Sequence, residues 1–110
     1  MGVGEAISDK KLLENAVYLH ISSLQYDVYV GDNAQKEIDF VGVKQGKRVY
    51  VQVAYLMIDD KTREREFGNL MNIPDNYPKY VVSLDEFNRG RDVQGIQHLH
   101  LSDFLKKEVL

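Results

Sequence analysis

Apolar residues recur along this chain with two periods, and the switch between them marks its elements. Between residues 10 and 24, Leu13, Ala16, Val17, His20, Ile21 and Leu24 fall on one stripe of a helix. Ser8 or Asp9 is placed to cap its start. Residues 27–30 read as a short strand, closed by the turn signal Gly31-Asp32-Asn33. From 37 to 43 the chain alternates imperfectly. Ile38, Phe40 and Gly42 share one face, and Glu37, Asp39, Val41 and Val43 the other, so both faces are expected to be covered. Residues 49–56 are almost continuously apolar, as suits a central strand. Lys44-Gln-Gly-Lys47 joins the two runs into a predicted hairpin over 36–56 with its turn at 43–48.

A second helix is predicted over 61–73. Its charged run Lys61, Arg63, Glu64, Arg65, Glu66 reads as a solvated face laced with its own ion pairs, although a phosphate-contacting face is the alternative. Phe67, Leu70 and Met71 then form its apolar side, and Pro74 with Asn76-Tyr77-Pro78 ends it. Residues 80–83 and 96–101 read as strands. Ser102 should cap a last short helix with Asp103 in its first turn and Lys106 and Lys107 in its last. The order α-β-β-β-α-β-(β)-α predicts an α/β fold, a mixed central sheet flanked by helices. Residues 1–9 read as a disordered or appended start, and 10–110 as one domain.

Composition narrows the function classes. With 44% hydrophobic and 28% charged residues the chain reads as a globular domain. A net charge of -3 argues against a strongly electrostatic nucleic-acid binder, though a local basic face remains compatible. There is no cysteine, which removes disulfides and thiolate metal sites and fits a reducing cytoplasm. No apolar run reaches the length of a membrane span.

The candidate chemistry lies in the hairpin, where Glu37, Asp39 and Gln52 stand among Val, Ile and Phe. The α-β-β-β-α-β order with Asp39 on the second strand resembles the PD-(D/E)XK nuclease superfamily. Six segments resemble a more specific family, the uncharacterised C-terminal domain of prokaryotic AAA+ ATPases. They are Lys11-Leu-Leu-Glu-Asn-Ala-Val, Lys36-Glu-Ile-Asp-Phe-Val, Val51-Gln-Val-Ala-Tyr-Leu, Thr62-Arg-Glu-Arg-Glu-Phe-Gly-Asn-Leu, Asn76-Tyr-Pro-Lys-Tyr-Val-Val-Ser-Leu-Asp and Ile96-Gln-His-Leu-His-Leu-Ser-Asp-Phe-Leu. The resemblance spans about residues 11–105 and implies an ATPase module in cis in the parent protein. No Gly-X-X-X-X-Gly-Lys-[Ser/Thr] occurs in this chain, so ATP is expected only in that parent.

A nuclease of this type would hold a divalent metal such as Mg²⁺ between two carboxylates and use a lysine against the attacked phosphate. Asp39 matches the first carboxylate and Glu14 a helix-one carboxylate that some members add. Gln52 stands in place of the second, and Ala54 replaces the lysine. Glu14, Asp39 and Gln52 are therefore expected to converge as a relic site with at most weak Mg²⁺ affinity. Lys11 is the candidate for a migrated lysine, and Lys36 should point away. His20 reads as a satisfied core histidine. His98 and His100, two apart on one strand face, have metal-compatible spacing but read as surface residues. Tyr50, Tyr55, Tyr77 and Tyr80 are expected at sheet edges. Three functions follow as alternatives: a non-catalytic module that brings its ATPase to a protein partner or nucleic acid, a divergent metal-dependent nuclease, or a homo-oligomerisation module with no nucleic-acid role.

Overall fold

The computed structural model describes residues 9–30, 38–56, 60–86, 90 and 92–110. One six-stranded mixed sheet runs through it in the order β1-β2-β3-β4-β6-β5. The elements in chain order are α1 (Asp9–Ser23), β1 (Asp27–Val30), β2 (Phe40–Lys44), β3 (Lys47–Ala54), α2 (Asp60–Met71), β4 (Lys79–Ser83), β5 (Asp92–Val93), β6 (Ile96–His100) and α3 (Leu101–Leu105). The first three strands are antiparallel neighbours. α2 then carries the chain from β3 to the parallel β4, as a crossover must. β6 continues parallel to β4, and β5 folds back antiparallel on β6. The α/β architecture, a mixed sheet with helices on both faces, is as the hydrophobic pattern predicts.

Strand alternation divides the core in two. On one face Leu13, Val17 and Ile21 of α1 and Phe104 of α3 cover Phe40, Val49, Val51, Val53, Tyr80 and Val82. On the other, Phe67 and Leu70 of α2 cover Tyr50, Ala54, Val81 and Ile96. This two-sided cover is why β3 reads as a nearly unbroken apolar run. The β2–β3 turn is a two-residue loop with Gln45 at φ 53° and Gly46 at φ 78°, and Lys44 pairs with Lys47 across it. Two positive φ values match the strand twist in the manner of a type I′ turn.

Several expectations are corrected. α1 begins at Asp9, one residue earlier than expected, while residues 1–8, including Ser8, lie outside the described residues. So do Gly31, Asp32, Asn33, Lys36 and Glu37. Met71 is exposed, because the residues α2 buries are Glu66, Phe67 and Leu70. Tyr50 and Tyr80 are buried on central strands rather than at edges, with Tyr50 anchored through its hydroxyl. The last helix is capped by His100, not Ser102: the His100 ring accepts the Ser102 N–H at 3.1 Å. Lys106 and Lys107 fall beyond α3. β5, unforeseen, forms a second tight hairpin whose Gly95 N–H donates to Asp92 Oδ1 at 2.8 Å. Among the described residues no helix is long and apolar enough to cross a membrane.

Candidate functional site

Asp39 stands just ahead of β2, where continuing the Phe40–Val51 pairing sets it opposite Gln52. The two residues exchange side chain for backbone. Asp39 N–H donates to Gln52 Oε1 at 2.9 Å, and Val53 N–H donates to Asp39 Oδ2 at 2.7 Å. The side chains thereby extend the ladder beyond the last backbone-paired residues, and they satisfy two N–H groups that would otherwise be left without partners. Gln52 is 3% exposed, and Ala54, two residues on, is packed among Ile38, Phe67 and Leu70 at 4% exposure.

Glu14 reaches this end of the sheet from α1. With Lys11, Asn15, Tyr18, Val30, Asp39 and Phe40 it lines an open groove of about 360 Å³. Glu14, Lys11 and Asp39 thus line one groove, while Gln52 is buried beside Asp39. Among the described residues no group of three or more His, Asp or Glu side chains is placed to hold a metal ion.

Glu66 adds a carboxylate that the sequence reading had assigned to solvent. It is 6% exposed on the sheet-facing side of α2, one residue before Phe67 and four before Leu70. Burial raises its pKa first and the nearby charge of Asp39 second, while Lys10 and Arg65 pull it back down. Arg65 Nε lies 3.4 Å from its Oε1. The signal was available: 66, 67 and 70 share a helix face, so a charge at 66 rides the apolar stripe.

A second buried polar pair sits further along the α2 face. Ser83 Oγ and His98 Nε2 are 2.6 Å apart, Asp85 N–H donates to Ser83 Oγ, and Phe67 meets the imidazole edge-on. His98 is 1% exposed, which overturns the surface reading: its neighbours on β4 and α2 enclose it. His100 remains half-buried. Its Nδ1 is an acceptor at the α3 cap, so Nε2 carries the proton toward Glu86 Oε2 at 3.1 Å. The two histidines therefore bond to different groups. His20 is satisfied at the α1–α3 boundary, donating from Nε2 to the Lys107 carbonyl at 2.8 Å with Phe104 edge-on to the ring.

At the opposite end of β3, Asp75 gathers the α2–β4 connection. It accepts from Tyr50 Oη at 2.6 Å, Tyr77 N–H at 3.0 Å and Lys79 Nζ at 3.0 Å. Burial pushes its carboxyl up, but these three donors outweigh burial and leave its pKa lowered.

An uncharacterised protein of Haemophilus influenzae is 36% identical over 93 residues, a match covering 84% of this chain and 22% of that protein. The chain therefore spans under a quarter of that relative's length. No family model matches the chain, and no solved structure matches it.

Proposed function

We propose that this chain is a non-catalytic nuclease-fold module of a longer prokaryotic AAA+ ATPase, which it brings to a protein partner or nucleic acid in the cytoplasm, where ATP is available. One observation carries the loss of catalysis. Two of the three residues that would form the relic metal site are used to hold the backbone together, since Gln52 Oε1 accepts the Asp39 N–H and Asp39 Oδ2 the Val53 N–H. A hard divalent ion such as Mg²⁺ needs several oxygen ligands, and its affinity rises with their charge. Here the second carboxylate is a neutral amide already bonded, and the lysine position is a buried alanine. That donor set fits Mg²⁺ poorly, so no cleavage step is routed through it. Loss of even one well-placed electrostatic group costs about 10²–10³ in rate. The larger size of the relative is consistent with a module that works within a longer protein.

Two observations favour a second reading, a divergent metal-dependent nuclease. Buried Glu66 faces the charge of Asp39, and Lys11 shares a groove with Glu14 and Asp39. Plasmid nicking with Mg²⁺ or Mn²⁺ separates the two. The wild type, Asp39→Ala and Lys11→Ala should all remain at background. Cleavage by the wild type that is lost in Asp39→Ala and Lys11→Ala overturns the non-catalytic reading. Activity gained only in the Gln52→Glu/Ala54→Lys double mutant supports a nuclease scaffold that has lost its catalytic pair.

A further inference from the structure

We propose that β1 is a self-association edge, and that two copies of this chain join their sheets by antiparallel pairing of β1 about a two-fold axis at Tyr29. The inference does not rest on the nuclease-fold reading. β1 is the terminal strand of the sheet, paired with β2 on one side; among the described residues nothing pairs with its outer side. A free edge invites another strand unless charge, proline or a bulge blunts it. β1 carries Asp-Val-Tyr-Val, with Tyr29 59% and Val30 72% exposed. The other edge strand, β5, has two residues, one of them Asp92, and offers too little backbone.

Both faces of β1 favour a second copy as the occupant. Val28 and Val30 point to the α1 side and Tyr29 to the α2 side, beside Val41. A two-fold axis perpendicular to the sheet keeps like faces together. Centred on Tyr29, it pairs Tyr29 with Tyr29 of the second copy and Val28 with Val30. Tyr29, the most exposed aromatic among the described residues, and the exposed Val30 are then covered in one step. The open groove lies on the α1 side next to Val30, with room beside Tyr18 for the second copy's side chains. The charges agree with this geometry. Antiparallel pairing sets the two Asp27 carboxylates four residues apart along the strands, roughly 14 Å. That exceeds the Debye length of about 8–10 Å at ordinary salt. A parallel pairing would put them side by side.

Sedimentation equilibrium of the whole chain tests the association, and cross-linking tests the register. The wild type should form a dimer. Val30→Lys should weaken self-association by at least about tenfold while leaving the far-ultraviolet circular dichroism unchanged. The chain has no cysteine, so Tyr29→Cys introduces a single thiol on the proposed axis. It should oxidise to a disulfide-linked dimer much faster than Lys47→Cys, whose thiol lies on the exposed β2–β3 turn. A monomeric wild type overturns the proposal, as it would if this edge served a strand of a different protein. A dimer indifferent to Val30→Lys, or equal cross-linking at 29 and 47, also overturns it.

Discussion

Asp39 carries more structural duty than any other residue in the candidate site. Its carboxylate takes the Val53 N–H, and its own N–H is held by Gln52. Asp39→Ala removes the acceptor from the amide of buried Val53, and an unsatisfied buried donor costs about 1–3 kcal/mol. Asp39→Asn keeps an amide oxygen at the same place and should lose less. Urea denaturation of the two variants beside the wild type measures the difference; equal losses would mean that the Val53 bond contributes little. This geometry also marks where a residue-by-residue reading of sequence stops. That Asp39 and Gln52 stand opposite each other follows from a hairpin of that turn length. That each bonds the other strand's backbone does not, because it depends on where the backbone ladder ends. The burial of His98 is hidden for a related reason: a polar letter on a strand counts as exposed until the packing of α2 over β4 and β6 is known. Glu66 differs, because its helix face is readable and only the charged run around it points to solvent.

Turn chemistry was the most legible feature between strands. Gly46 has φ 78° with nothing near the position of an added Cβ, so the cost of Gly46→Val is conformational rather than steric. A left-handed backbone costs a residue bearing a Cβ about 1–2 kcal/mol, and the β-branched side chain adds to it. The melting temperature should fall accordingly, and an unchanged value would contradict the turn geometry. Gly42 tests the opposite cause. A Cβ there would stand 2.9 Å from Val49 Cγ1 and 3.1 Å from both Ile21 Cγ2 and Tyr26 Cδ2. Gly42→Ala should therefore destabilise by overpacking, by about 1–3 kcal/mol, and Val49→Ala in the same chain should recover part of the loss. A simple sum of the two single effects would count against this contact. The sequence shows Gly42 only as a gap in an apolar face; that α1 presses on that gap is a tertiary fact. The same limit hid β5, whose two residues carry too little period to register, and moved the α3 cap by two residues to a histidine ring.

Across the molecule, two carboxylates bend the stability curve in opposite directions. Asp75 is held below its ordinary pKa: burial alone would raise it, but Tyr50, Lys79 and Tyr77 together prevail. A group with a depressed folded pKa contributes stability above its unfolded value, lost as pH falls through the folded one. Glu66 is the reverse. Burial, then the charge of Asp39, raises its pKa. Its contribution is complete below the unfolded value near 4.5 and is lost as pH rises through the folded one. Apart from β5, the element order and the covered faces of the central strands were readable from hydrophobic period, but this antagonism was not, since it arises from partners far apart in the chain. Chemical denaturation across a pH series should therefore show stability falling on the acid side, with Asp75→Asn flattening that arm by removing the charge paired with Lys79. On the other arm, Glu66→Gln should gain stability over the wild type as pH rises, because the buried position no longer ionises. Were Glu66→Gln to lose stability at neutral pH, the buried carboxylate would be held by favourable partners, with Lys10 and Arg65 outweighing burial and Asp39.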